Sequence, residues 1–475
     1  MKGCLRKLHS LSACRQDRDN VAKCKTLDAS PNWRAFVWPQ TLVVLFGTIE
    51  KQKMQSSMNE DAVGSAYANY LRVGDFDSAM SLCRALRLTG HAAEAQDLCE
   101  RWVDKVDGTT ECAQLAIDMC YLGMFAECER LLGGVADAFP FGTSRHLVMS
   151  EFAIAKYHLG KYHEAHEIFR SLRDKGESAN LVRLLFTNAS ASVWDFLQDK
   201  FLGLSDSIEG MRIGILQEGG VGDLVMYSRY VDMLLQEGAS SVSIQTPQTL
   251  RGCIKEDHRI KVMGDANVEI HNCDYVTTMF SLFARYQLSP YFPHAPSSVI
   301  ALPTHHALPD SLMKCMDDGT SRRKIGIVWR SASGARHEPY RSIDLCKLAT
   351  LLENRSCRFF SLQVGGLTEV EKALFAQHGI VDLSPYLSSF ADAAAIAQKL
   401  DLLISVDTGP AHLASTFNCP VWLLLSQACD SRWLDCQRFT PWYTSMRLFR
   451  QPKLGDWTLP LHDMNIALVS SLERA

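Results

Sequence analysis

Residues 400–425 read LDLLISVDTGPAHLASTFNCPVWLLL. The apolar run from Leu400 to Val406 has the length and composition of a buried strand. Thr408 and Gly409 make a turn, and Pro410 suits the first turn of a helix, where its φ is preset and its missing N–H would have no partner. PVWLLL then supplies a second strand. Strand, helix and strand in so short a span is the unit of a parallel sheet. The same unit aims the free N–H groups and positive end of the helix beyond the end of the strand, an arrangement that binds phosphate. Asp407, Thr408, Gly409 and His412 are therefore candidates for an anion pocket. The alternative is that Asp407 or Thr408 merely caps the helix and that His412 is a satisfied packing histidine.

The alternation extends upstream. KIGIVWR (Lys324 to Arg330), a helix from Ser342 to Leu352, CRFFSLQ (Cys357 to Gln363) and a helix near Val370 to His378 lead into it. Arg330, Arg336 and Arg341, with Ser331 and Ser333, crowd the loop after the first of these strands, so several donors can converge on phosphate oxygens. Further back, MRIGILQ (Met211 to Gln217) is followed by EGGVGD (Glu218 to Asp223), an amphipathic stretch LVMYSRYVDMLLQEGA, and the strands SVSIQT (Ser241 to Thr246) and CDYVTTM (Cys273 to Met279). From Leu288 to Arg322 the chain is rich in proline, Ser, His and Asp, as a linker is. The expected fold class is α/β, with two Rossmann-like lobes at 206–300 and 323–475 joined by a linker at 301–322. Ligands in such sheets bind beyond the carboxyl ends of the strands, here in the cleft between the lobes.

Residues 61–199 differ: rich in Ala, Leu, Glu and Arg, they carry apolar residues at three-and-four spacing, which predicts helices. A large apolar residue, a Gly, an aromatic or small residue two on and a small residue five on recur in YLRVGDFDSA (Tyr70 to Ala79), RLTGHAAEA (Arg87 to Ala95), YLGMFAEC (Tyr121 to Cys128) and YHLGKYHEA (Tyr157 to Ala165). The Gly fits a tight turn between antiparallel helices, and the small residue lets them approach. This resembles the tetratricopeptide repeat. Gly90 to Gly123 is 33 residues and Gly123 to Gly160 is 37, but Gly74 to Gly90 is only 16. Either the first pair is one hairpin read twice, or 58–205 is an irregular helical bundle.

Composition sets bounds. The 475 residues suggest about three domains. The chain is 47% hydrophobic and 21% charged with a formal net charge of −4, which gives no reason to expect nucleic acid or acidic membrane as partner. Sixteen cysteines lie scattered without a C-x-x-C pair, so neither a zinc site nor a disulfide framework is indicated, and Cys83, Cys99 and Cys128 stand where small apolar residues would serve. A reducing, cytoplasmic compartment fits best. The run FVWPQTLVVLF (Phe36 to Phe46) is about half the ~20 residues a membrane-spanning helix needs, so no transmembrane segment is expected. Residues 1–57 read as a disordered or non-native extension, because Met54 and Met58 stand just before the first regular pattern, although the basic 1–35 could mimic a targeting segment.

The string V-D-T-G-x-x-H-L-A with P-V-W-L-L-L after it resembles the donor-site signature of glycosyltransferase family 9, the ADP-heptose:lipopolysaccharide heptosyltransferases and their relatives. SRWLDCQRFTPWYTSMRLFRQ (Ser431 to Gln451) is similar to the tail of bacterial proteins in which tetratricopeptide repeats precede such a domain, and GGVGDLVMYSRY (Gly219 to Tyr230) resembles the family's Gly-rich loop. The resemblance implies the two-lobed GT-B architecture and inverting transfer of a sugar from a nucleoside diphosphate to an acceptor hydroxyl. It implies Asp223 as general base, although this Asp could instead only cap its helix. It also implies a donor pocket of Gly220, Gly222, Asp407, Thr408, Gly409 and His412, with Arg341 on the diphosphate in place of the family's Lys and Gln363 on the nucleoside. Trp433, Trp442 and Tyr443 could stack on sugar or base, or pack the core. The D-x-D strings lie at Asp17 to Asp19 and Asp75 to Asp77, outside the α/β region, so no metal is expected and no cofactor beyond the nucleotide-sugar substrate.

Partners expected on this reading are the donor, an acceptor on a glycan, lipopolysaccharide or protein, and a protein partner for the helical repeats. The enzyme would be cytoplasmic, free or peripheral at the inner membrane. Two other functions remain open. A nucleotide-sugar epimerase uses the same fold, and a non-catalytic repeat scaffold could carry a vestigial transferase domain.

Overall fold

The computed structural model describes residues 60–139, 142–185, 191–264, 266–289, 293–296, 298–302, 306–331 and 338–472. The expected extension at 1–57 lies outside them, as do Ser333, Arg336 and part of the expected linker.

The chain opens with helices α1 (Glu60–Val73), α2 (Phe76–Leu88), α3 (Ala92–Val103), α4 (Thr109–Tyr121), α5 (Phe125–Val135), α6 (Thr143–His158) and α7 (Tyr162–Ser171). Gly74, Gly90, Gly123 and Gly160 turn the chain between them with φ of 69°, 89°, 76° and 74°, a region where a side chain is strained. Gly74 and Gly90 close separate turns at the two ends of α2, which accounts for their short spacing. The small residues five positions on, Ala79, Ala95, Cys128 and Ala165, are all fully buried, so neighbouring helices meet there at close range. Cys83 and Cys99 are buried as well.

Helices α8 (Ser178–Leu185) and α9 (Ala191–Lys200) follow. Their Leu181, Val182 and Leu197, with Phe201, share an apolar core with Leu216, Met263 and Val276 of the first sheet, and the Leu202 N–H donates to the Val276 carbonyl at 2.8 Å. The expected boundary between 205 and 206 therefore falls inside one packing unit. Helical periodicity marks an apolar face but not the surface it covers, and these two helices cover the first sheet.

That sheet is parallel, built of β1 (Arg212–Leu216), β2 (Ser241–Ile244), β3 (Ile260–Val262) and β4 (Tyr275–Thr278) in the order β3-β2-β1-β4. CDYVTTM is thus the fourth strand; the third, Ile260–Val262, is too short to show a period. The amphipathic stretch after β1 divides into α10 (Val221–Tyr227), a 3-10 turn and α11 (Val231–Gln236), and α12 (Met279–Tyr286) follows β4.

The second sheet comprises β5 (Arg323–Val328), β6 (Cys357–Ser361), β7 (Val381–Asp382), β8 (Leu402–Val406), β9 (Val421–Leu425), β10 (Phe439–Thr440) and β11 (Tyr443–Arg450). Its order is β10-β11-β9-β8-β5-β6-β7, parallel except where β10 meets β11. The helix expected from Ser342 to Leu352 is only a 3-10 turn, Leu345–Leu348, and one α turn, Ala349–Leu352. Helix α13 (Phe390–Ala397) precedes β8, α14 (Gly409–Thr416) follows it, and α15 (Thr458–Leu472) ends the described chain. Met464 and Leu468 of α15 pack with Ile404, Leu424 and Phe449 of this sheet. Among the described residues no helix is long and apolar enough to cross a membrane. One apolar cluster runs through both lobes, from Leu224 and Tyr227 to Leu413 and Trp442.

Candidate active site

The carboxyl ends of both sheets meet at the packed interface between the lobes, where Asp223, Asp407 and His412 are buried. Strand β1 delivers the loop Glu218–Asp223 from one side, and β8 delivers Asp407 and the start of α14 from the other. Gly219 has φ 76°, and a Cβ there would lie 2.6 Å from Asp223 Oδ2, so only glycine lets the loop fold back over the carboxylate. The Gly220 N–H donates to that same Oδ2 at 2.6 Å, so Asp223 does cap its helix. Its second oxygen faces across the cleft and pairs with the Arg432 guanidinium of the other lobe.

Arg432 also pairs with Asp430 at 2.8 Å and is almost fully enclosed. Burial would lower its pKa, but Asp223 and Asp430 outweigh that and raise it well above its ordinary value. Burial pushes the Asp223 carboxyl up from the ordinary aspartate range, with Arg432 pulling against it. A carboxylate poised in this way is a stronger base than an exposed one.

The Asp407 carboxylate is surrounded. His412 Nε2 lies 3.2 Å from Oδ1, the Trp433 indole N–H donates to Oδ2 at 3.0 Å, and Arg341 Nη2 stands 3.6 Å from Oδ1. Arg341 Nε also donates to the Asp407 carbonyl at 2.5 Å. Burial alone would raise Asp407, but Arg341, His412 and Arg432 hold it well below the usual carboxylate range. The other ring nitrogen of His412 meets the Tyr443 hydroxyl at 3.1 Å. Thr408 occupies the N-cap position of α14 without capping through its side chain; its hydroxyl meets that of Ser405 at 3.0 Å. Asp407 and His412 thus satisfy each other in a buried cluster that fixes the start of α14 and holds Arg341, while Thr408 is tied to Ser405.

The glycines have a use the sequence did not show. A Cβ on Gly222 would lie 2.6 Å from His412 Cδ2, and one on Gly409 would lie 2.9 Å from Phe390 and 3.4 Å from Val221. These two glycines let α10 and α14 press together across the cleft, whereas the expectation placed them against a ligand. Gln363 accepts from the Trp329 and Arg330 N–H groups at 3.2 and 2.9 Å and donates to the Val364 carbonyl at 3.1 Å. Its amide ties β5 to β6. Trp433 and Trp442 are buried; the Trp442 indole N–H donates to the Arg432 carbonyl at 2.7 Å, so both tryptophans brace the loop that carries Arg432. Arg330 donates to the Gly366 carbonyl at 3.0 Å, and Ser331 donates to Glu338. Sequence reading missed Arg432 and Asp430. The available signal was SRW (Ser431 to Trp433) directly after Asp430, a cation locked between an acid and a large ring.

Residues 275–433 match the model of glycosyltransferase family 9 (heptosyltransferase). The matched stretch holds Arg341, Gln363, Asp407, Thr408, Gly409, His412 and Arg432; Asp223 lies outside it. No curated protein matches the chain. Among solved structures, the chain is similar to a family 9 glycosyl transferase of Veillonella parvula at 12% identity, over 57% of this chain and 91% of that one, with a TM-score of 0.36. It is similar to ADP-heptose lipopolysaccharide heptosyltransferase II of Escherichia coli at 14% identity, over 56% and 100%, with a TM-score of 0.38. An O-GlcNAc transferase of Thermobaculum terrenum matches at 12% identity over 75% of this chain and 83% of its own, with a TM-score of 0.26.

Proposed function

We propose that this chain, which carries a glycosyltransferase family 9 segment at residues 275–433, is an inverting, metal-independent transferase of the GT-B kind that moves a sugar, heptose or a similar one, from a nucleoside diphosphate to an acceptor hydroxyl. The observation that carries the reading is the meeting of two strand ends. Asp223 after β1 and Asp407 after β8 reach the same cleft, and Arg432 links the first to the neighbourhood of the second.

In the proposed reaction the acceptor oxygen attacks the anomeric carbon while Asp223 takes its proton. The bond from that carbon to the diphosphate oxygen breaks on the opposite face, and the departing charge falls to Arg341, Arg432 and the N-terminal end of α14. Two arginines and a helix end supply the positive charge, so the scheme requires no metal ion. Because Gly222 rests on His412 and Asp223 and Arg432 are enclosed, the scheme has α10 and α14 separate for the donor to reach these two, with Arg341 already partly exposed. The helices α1 to α7, read as tetratricopeptide-like repeats, would present the glycan, lipopolysaccharide or protein acceptor, or hold a protein partner.

A thermal-shift screen of the full chain against ADP, GDP, UDP, CDP and their sugars tests the reading. A ligand at a hundred times its dissociation constant stabilises the folded state by about 2.7 kcal/mol, which is a shift of several degrees. An unmoved melting temperature with every one of them would overturn the proposal.

A further inference from the structure

The helical array touches both lobes, and one helix does so along its length. At the start of α7 the Tyr162 hydroxyl donates to the Asp435 carboxylate and accepts from the Asp435 N–H at 3.2 Å. Midway, His166 is fully enclosed. Its Nδ1 accepts from the Tyr157 hydroxyl at 2.7 Å, which leaves Nε2–H to donate to the Gln287 carbonyl. Arg170 donates to the Ala284 carbonyl, so α7 satisfies two carbonyls at the end of α12, where a helix lacks internal partners. Just past α7, Arg173 Nη1 pairs with Glu218 Oε2 at 2.7 Å, with both side chains nearly buried, and the guanidinium lies over the rings of Phe169 and Phe280.

Glu218 begins the loop that carries Asp223, and Asp435 closes the loop that carries Arg432. These contacts join end to end: α7 to Asp435, through Arg432 to Asp223, through Glu218 to Arg173, and back to α7. An α-helix of ten residues is a rigid rod of about 15 Å. The turn before α5 bears on the other end of the Arg432 loop. Gln427 Nε2 donates to the Gly123 carbonyl at 3.4 Å, and a Cβ on Gly123 would lie 2.7 Å from Gln427 Oε1.

We propose that Tyr162 and Arg173 are positioning residues, and that α7 is a gauge setting how far apart the Asp223 and Arg432 loops stand. This rests on the reading of Asp223 as base, but the gauge itself is a mechanical claim about two loops. Whatever binds the helical array and moves α7 changes the ion pair at the cleft.

Amide hydrogen exchange on the full chain tests it. Arg173→Gln, which deletes the charge, raises exchange of residues 219–223 by about tenfold and of 430–435 by a similar factor, because local opening free energies are shared within a cooperative unit. Tyr162→Phe, which removes only a hydroxyl, does the same from the opposite end. Arg173→Lys retains a single charged donor to Glu218 and restores protection to within about twofold of the native chain. Strand β8 keeps its protection in every variant, which separates the effect from global unfolding. A change confined to the loop next to each substitution, with the far loop unmoved, overturns the gauge, and so does failure of Arg173→Lys to restore protection. The exchange experiment contains no nucleotide, so its failure is distinct from failure of the nucleoside diphosphate screen.

Discussion

Gly222 and His412 touch across the cleft, the place of a missing Cβ lying 2.6 Å from the imidazole Cδ2. The ring cannot retreat, because Asp407 and Tyr443 hold its two nitrogens. Gly222→Ala therefore forces α10 away from α14. Overpacking of this sort costs about 1–3 kcal/mol, read as a lower urea midpoint with an unchanged slope. Adding His412→Ala should recover part of that loss in a double-mutant cycle; strict additivity of the two would mean that the contact is not the cause.

Asp223→Asn keeps the shape and the bond from the Gly220 N–H but cannot take a proton. Transfer should fall by about 10²–10⁴-fold, while the thermal shift produced by the best nucleoside diphosphate stays within about a degree of the native value. Undiminished transfer would remove Asp223 from the chemistry.

Burial raises the Asp223 carboxyl above the ordinary aspartate value, so the proposed base would be lost to protonation as pH falls through a pKa higher than that of an exposed aspartate. The acid limb of kcat/KM against pH is expected at a correspondingly higher pH. Arg432→Gln removes the opposing charge and should move the limb further up. A limb that stayed fixed or moved down in this variant would show that Arg432 does not set the charge of Asp223.

Asp407 is displaced the other way, its carboxyl held well below the usual range. A depressed carboxylate contributes stability that is fully present above its unfolded value of about 3.9 and is lost as pH falls through the folded value. Asp407→Asn should cost about 3–5 kcal/mol near pH 7, as loss of one partner from a buried ionic cluster does. Urea midpoints of native and variant chains should stay separated down to about pH 5 and converge below pH 4. A constant gap into strong acid would contradict the assignment.

Arg341 and Gln363 separate binding from architecture. Arg341 is a quarter exposed at its side chain and faces the cleft, so Arg341→Ala should weaken nucleoside diphosphate binding by roughly ten- to a hundredfold, the worth of one charge-assisted bond. Gln363 spends its amide on three backbone partners. Gln363→Ala should lower stability by about 1–3 kcal/mol while nucleotide affinity, followed by titration calorimetry, stays the same. A large loss of affinity in this variant would return Gln363 to the nucleoside.

Much of the fold is legible in local pattern. Each strand quoted from MRIGILQ onward lies in one of the two sheets, because buried parallel strands are short apolar runs that need no distant information. The four turn glycines lie at positive φ, because a left-handed turn favours glycine over residues with a side chain. Elements without a strong local signal escaped, among them Ile260–Val262 with its three residues, β7 with two, and the helix α13, rich in alanine and buried on nearly every side.

Site residues divide along the same line. Asp407, Thr408, Gly409 and Pro410 could be read from the chain because strand, turn and helix are one local unit. Asp430 and Trp433 mark Arg432 as a held cation, but its value comes from Asp223, 209 residues earlier, and no neighbouring residue announces that meeting. The same holds for Gly222 against His412, for Gln363 turned inward to its own sheet, and for Arg173 against Glu218. Sequence determined which backbone units form and where each presents its polar ends, since those follow from period and propensity within a few residues. Tertiary structure alone decided which polar ends face one another, because that depends on how two sheets and a helical array pack. At the lobe interface, that packing sets the balance at Asp223, where burial raises the carboxyl and Arg432 opposes the rise.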